Sequence, residues 1–140
     1  MFEEILNNTE LFALHRETCE ENDIHVELSE KLTDDKYIIL KIDAFYSTSN
    51  NMPKPPPSPD CLIIVKCDSN ECYDFYLVEL KNIKSSSGFK IKNIRQKFTT
   101  VIDDFLGKRF AQIFLNPKYC INNFEMYFVS DPYKLTHLTP

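Results

Sequence analysis

Pro59-Asp60, the run Leu62-Ile63-Ile64-Val65, the polar break Asp68-Ser69-Asn70 and the return Phe75-Tyr76-Leu77-Val78-Glu79-Leu80-Lys81 decide the reading of this chain. Two β-branched, aromatic-rich segments around a polar turn predict a β-hairpin. Side chains alternate along a strand, so Phe75, Leu77, Glu79 and Lys81 share one face, with Tyr76, Val78 and Leu80 on the other. Two apolar residues followed by two charged ones on one face break the pattern of a strand that serves only a core. An antiparallel return carries Glu79 and Lys81 back beside Asp60, so two carboxylates and an ammonium are expected at one end of a sheet. Hard divalent cations such as Mg²⁺ favour this kind of donor set, one or two carboxylates completed by water and phosphate. A lysine beside the ion can orient or deprotonate an attacking water.

Pro59-Asp60, eighteen intervening residues and Glu79-Leu80-Lys81 resemble the signature of the PD-(D/E)xK nuclease superfamily. The motif is short, and an acid-x-Lys triplet ends many ordinary hairpins as a solvated charged tip. Its weight comes from position: Pro-Asp opens one predicted strand, acid-x-Lys closes the next, and a basic helix follows. The resemblance implies an α/β fold with a restriction-endonuclease-like αβββαβ core, a mixed β-sheet flanked by helices. It further implies a Mg²⁺- or Mn²⁺-dependent endonuclease that hydrolyses DNA phosphodiester bonds, restriction-type or junction-resolvase-like. In that scheme Asp60 and Glu79 hold the metal with the Leu80 carbonyl, and Lys81 positions the water. Gln96, with Lys97 and Lys92 as alternatives, contacts the phosphate or a site carboxylate. Glu20, or next Glu17, adds a carboxylate from the first helix. The implied partners are DNA and a second copy of the chain, since two strands must be cut, with an accessory subunit supplying recognition. Two other readings compete. One is a non-catalytic module of the same fold that binds nucleic acid or a protein; the other is an unrelated α/β interaction protein with Asp60 and Glu79 far apart.

The 140 residues fit a single domain spanning 1–140. No stretch approaches the ~20 apolar residues of a membrane span. Met1-Phe2-Glu3-Glu4 lacks the basic start of a secretory signal, so a cytoplasmic location and no membrane partner are expected. A net charge of −5 argues mildly against a polyanion binder, but the charge is unevenly spread. Between Lys81 and Lys97 lie six basic residues and no acid, whereas eleven of the twenty-one acids precede residue 36. The stripe Lys84, Lys90, Lys92, Arg95 and Lys97 is the expected nucleic-acid surface, and its plain alternative is a solvated helix face. Five cysteines without framework spacing point to reduced thiols. Close ligand pairs for zinc are missing, and two glycines are too few for a nucleotide-binding loop.

Around the hairpin, residues 2–21 predict a helix in one or two pieces, with Thr9 as a cap for the second. Ile24 to Leu28 alternates like a short strand, and Lys36 to Tyr46 forms the longest strand-like run before the hairpin. Asp43 inside that run is either a further site acid or an edge-facing charge. Residues 47–59 carry five of the eight prolines and exclude helix and central strand. Ile91 to Leu106 predicts an amphipathic helix burying Ile91, Ile94, Phe98, Val101, Ile102 and Phe105, with Gly107 at its C-cap. Strands are expected at Arg109 to Leu115 and Phe124 to Val129. The helix after residue 81 supplies the crossover that a parallel strand pair requires.

Overall fold

The computed structural model describes residues 1–21, 24–48, 54–69, 71–80 and 91–129, without the side chains of Thr48 and Ile91. Two short helices, α1 (Phe2–Asn7) and α2 (Thr9–Phe12), lead into β1 (His15–Arg16) and a ribbon of β2 (Glu20–Glu21) and β3 (Ile24–His25). Then come β4 (Tyr37–Lys41), α3 (Ile42–Thr48), β5 (Cys61–Lys66) and β6 (Cys72–Leu80). The described chain closes with α4 (Ile91–Thr100), a π-helical continuation (Val101–Arg109), α5 (Ala111–Phe114) and β7 (Cys120–Val129).

Five strands form one mixed sheet in the order β1-β4-β5-β6-β7. The β4-β5-β6 portion is an antiparallel meander, and β7 lies parallel to β6. The expected hairpin is present in the register Cys61↔Val78 and Leu62↔Leu77. A parallel partner cannot be reached by a tight turn, and the helical segment between β6 and β7 makes the crossover. No described helix is long and apolar enough to cross a membrane.

Alternation along β6 divides the interior into two layers. Phe75 and Leu77 face a large cluster with Leu40, Leu62, Tyr46, Phe105 and Phe114. Val78 and Leu80 face a smaller one with Cys19, Ile24, Ile39, Cys61 and Ile63. The mixed sheet is flanked by helices, and the described ones contribute to the larger layer. The opposite face is covered by the β2-β3 ribbon, held by a Cys19–Cys61 disulfide and by the Val26 N–H donating to the Cys19 carbonyl at 2.9 Å. The expectation of reduced thiols therefore fails for this pair, while Cys67, Cys72 and Cys120 are free. The two bonded residues stand 42 positions apart, and only the crossing of ribbon over sheet makes them neighbours.

Several boundaries differ from the sequence reading for identifiable reasons. The first helical region stops at Phe12, and the second piece is capped by Asn8, whose side-chain oxygen accepts from the Leu11 N–H at 3.0 Å. The strand expected over residues 36–46 ends at Lys41. The Ile42 N–H donates to the Asp60 carbonyl at 2.9 Å, and beyond that point the proline-rich segment offers few donors for a ladder. The chain turns into α3 and buries Ile42, Phe45 and Tyr46, an i, i+3, i+4 pattern. The strand expected over 109–115 is replaced by α5 (Ala111–Phe114), with Phe110 and Phe114 buried one turn apart. The helix from Ile91 widens to π geometry at Val101, which shifts the buried positions to Val101, Phe105 and Leu106 and leaves Ile102 exposed. Gly107 lies within this wide turn rather than capping it. A Cβ there would meet the Ile102 carbonyl oxygen at 2.7 Å.

Candidate functional site

Asp60 and Glu79 are the two buried charged residues of the described chain, 7% and 4% exposed. The hairpin register explains their meeting. Cys61 pairs with Val78, so one step outward sets Asp60 opposite Glu79, and opposed residues of an antiparallel pair share a face. The backbone pins Asp60 at this place: its N–H donates to the Val78 carbonyl at 3.1 Å. Its side chain is also fixed, because Oδ2 accepts from the Leu80 N–H at 2.7 Å. The Asp60 carboxyl faces that of Glu79 across the hairpin. Burial first, and then this contact, push the Asp60 carboxyl up to about 6.

Two ammoniums reach the pair from different elements. Lys97, on α4, places Nζ 2.9 Å from Glu79 Oε2. Lys41, the last residue of β4, lies 3.6 Å from Asp60 Oδ1, 3.4 Å from Asp43 Oδ2 and 2.7 Å from Glu21 Oε2. Burial works against the Lys41 charge, but the Glu21 hydrogen bond and the fields of Asp43 and Asp60 outweigh it and hold the ammonium above its usual range. Burial also raises the Asp43 carboxyl, against the pull of Lys41. Oxygens of Glu21, Asp43 and Asp60 lie within 4.8 Å of one another. The result is a compact, partly desolvated cluster of four carboxylates and two ammoniums at one end of the meander.

The donor set fits a hard divalent ion. Oxygens of Glu21, Asp43 and Asp60 converge within 4.8 Å, with the buried Glu79 carboxylate facing Asp60, and hard divalent ions favour such carboxylate donors. Thiols are set apart, since Cys61 is committed to the disulfide.

Of the residues singled out in the sequence, Asp60, Glu79 and Leu80 come together, Leu80 through its N–H. Lys81, Lys84 and Lys90 lie outside the described residues. Gln96 is exposed and lines an open groove with Pro57, Arg95, Thr99 and Thr100, whereas its neighbour Lys97 makes the contact to Glu79. Lys92 and Arg95 are exposed on α4, with no acidic partner among the described residues. The helical placement of Glu17 and Glu20 is overturned. The helix ends before them, and Glu20 stands in β2 with its side chain exposed. Adjacent strand residues face opposite ways, so Glu21 is the one that turns to Lys41, while Glu20 offers only its backbone carbonyl at 3.5 Å. Asp43 is a cluster member rather than an isolated edge charge, but it arrives on the first turn of α3.

Lys41 and Glu21 were missed by sequence reasoning. Lys41 had one readable signal, a charge terminating the apolar run Tyr37 to Leu40. Glu21 had none, because it is delivered by the ribbon. A second polar group joins α3 to the π-helical segment: Tyr46 donates to Asp104 at 2.8 Å, and Arg109 donates to the same oxygen at 2.6 Å. Burial opposes the Asp104 charge, but these two donors hold its carboxyl below the usual range. Comparison with protein-family models, curated proteins and solved structures finds no match for this chain.

Proposed function

We infer that this chain is a Mg²⁺- or Mn²⁺-dependent nuclease acting on DNA phosphodiester bonds. The observation that carries the reading is the meeting of buried Asp60 and Glu79 at one end of β5 and β6. The chain order supports it: helices, a three-stranded antiparallel meander, a helix, then a strand parallel to the third follow the αβββαβ order that the resemblance implies. Asp60 and Glu79 would hold the metal. A divalent ion there supplies Lewis acidity toward a phosphoryl oxygen and acidifies a bound water. The Leu80 N–H fixes the Asp60 carboxylate so that its orientation is set before substrate arrives. Lys97 neutralises Glu79 and, being 30% exposed, also faces the solvent from which a phosphate would approach. Lys92 and Arg95 supply positive charge on the same helix. Lys81 is the residue the resemblance assigns to the water, and a homodimer is the assembly it suggests.

The test is cleavage of duplex, single-stranded and branched DNA with and without Mg²⁺ or Mn²⁺, with Glu79→Ala and Lys81→Ala in parallel. Metal-dependent cleavage lost in Glu79→Ala supports the reading, and cleavage that survives both substitutions rejects it. One observation favours a second reading, a non-catalytic module of this fold. Each buried carboxylate already has an ammonium beside it, which is a stable arrangement without any metal. Such a module would bind DNA or a protein with no requirement for Mn²⁺.

A further inference from the structure

Hydrolases that use two divalent ions hold them about 3.5–4 Å apart, bridged by a shared carboxylate. Asp60 has the position of such a bridge. It faces Glu79 on one side and Glu21 with Asp43 on the other. The second of these spaces is filled from within the chain. Lys41 Nζ sits 2.7, 3.4 and 3.6 Å from Glu21, Asp43 and Asp60, three ion-pair contacts converging on one nitrogen. Its side chain is only 15% exposed, less than either Glu21 or Asp43. A flexible surface lysine would not be buried among acids in this way. The Glu20 carbonyl at 3.5 Å completes a four-oxygen surround resembling the donor shell of a hard cation.

We propose that Lys41 is a tethered counter-ion occupying the second cation position, so that the site takes one divalent ion and not two. This rests on the metal-dependent reading above. Charge balance agrees with it. Glu21, Asp43, Asp60 and Glu79 when ionised carry four negative charges, and Lys41 with Lys97 carries two positive ones. The two charges that remain are what a single divalent ion neutralises. With Lys41 in place, a second ion would have to enter beside its ammonium and leave the half-buried cluster with an excess of about two positive charges, which removing Lys41 relieves. Lys41 thus does with a covalently held ammonium what a second metal does elsewhere: it keeps three carboxylates together and fixes the far side of the bridging Asp60. Its role is positioning, through Asp60, and not contact with substrate.

The experiment counts ions on the full chain at neutral pH. Free Mn²⁺ is followed by electron paramagnetic resonance during titration into wild type, Lys41→Met and Lys41→Arg. Circular dichroism checks the fold of each, and Lys41→Gln, neutral but able to donate to Glu21, replaces the methionine variant if that one does not fold. The expected result is one Mn²⁺ in wild type, two in Lys41→Met or Lys41→Gln, and one in Lys41→Arg. Two ions in wild type, or one in both wild type and the neutral variants, overturns the role given to Lys41 and leaves the metal-dependent reading standing. No binding in any variant overturns the metal-dependent reading itself. No binding in wild type with one ion in the neutral variants also rejects the Asp60–Glu79 ion, while supporting Lys41 as the occupant of its own position.

Discussion

Changing pH between 5 and 7 should move protein stability and metal affinity in opposite directions, through one proton on Asp60. Its carboxyl is lifted from 3.8 to about 6 by burial and by the Glu79 contact. Metal binding must displace that proton. With a value near 6, roughly nine-tenths of the molecules hold it at pH 5 and about one-tenth at pH 7. The apparent Mn²⁺ affinity should therefore be about tenfold weaker at pH 5, or ~1.4 kcal/mol. Stability of the metal-free protein runs the other way. A carboxyl raised on folding binds more protons in the native state between about 4 and 6, so the free energy of unfolding falls as pH rises through that window. The contribution is full below 3.8 and gone above about 6. The gap between those values gives a ceiling of about 3 kcal/mol at ~1.36 kcal/mol per pH unit. Residual solvent contact reduces it to about 1–2 kcal/mol.

The assay is urea unfolding of wild type and Asp60→Asn at pH 5 and pH 7 without metal, followed by Mn²⁺ titration of both at each pH. Other carboxyls titrate too; Asp104, for one, is held low and acts in the opposite sense. The quantity of interest is therefore the wild-type minus Asp60→Asn difference, in which those other groups cancel. It should shift toward wild type by about 1 kcal/mol at pH 5 relative to pH 7, since only the upper part of the window is crossed. An unchanged difference would show that Asp60 titrates normally and that its burial beside Glu79 is wrong. Mn²⁺ affinity that is flat between pH 5 and 7 would separately show that no proton leaves Asp60 when the ion binds.

Gly107→Ala should lower stability by about 1–3 kcal/mol in a urea or thermal melt, because the new methyl meets the Ile102 carbonyl at 2.7 Å and neither backbone can yield cheaply. An unchanged midpoint would mean that the π-helical turn is not as described. Tyr46→Phe removes the hydroxyl that donates to Asp104 at 2.8 Å and should cost about 1–2 kcal/mol, with Arg109 still paired to the carboxylate. Alkylation of the denatured, unreduced protein should tag three cysteines by mass and five after reduction, in keeping with the Cys19–Cys61 bond. Reduction should also destabilise the fold by about 4 kcal/mol for a loop of this length, and five tags without reductant would refute the pairing.

What the sequence disclosed about this fold depended on distance along the chain. The β5-β6 hairpin was legible because its two strands and turn are contiguous, and its register follows from which residues alternate inward. With the register, the Asp60–Glu79 meeting was legible too. Ile, Phe and Tyr are strand formers, so composition predicts strand over 42–46 and 109–115, and the prolines exclude helix from 47 onward; the chain instead places α3 at Ile42–Thr48 and α5 at Ala111–Phe114. The spacing of Ile42, Phe45 and Tyr46, and of Phe110 and Phe114, was helical throughout. The Cys19–Cys61 bond and the arrival of Glu21 were beyond local reasoning, since both depend on a ribbon laid across the sheet.

Lys41 belongs to neither group, and it shows what a sequence reading of such a site can use. A three-stranded antiparallel meander brings the end of its first strand, the start of its second and the end of its third to the same edge of the sheet. Charged residues at those three points must converge there whatever the loops do. In this chain the three points are Lys41, Asp60 and Glu79, and Asp43 follows Lys41 by two residues. The strand ends alone thus nominate both carboxylates of the candidate metal pair and the ammonium that faces one of them at 3.6 Å. The acid-x-Lys motif draws attention to the second and third strands only. Topology adds the first, and with it Lys41, the ammonium beside three of the carboxylates.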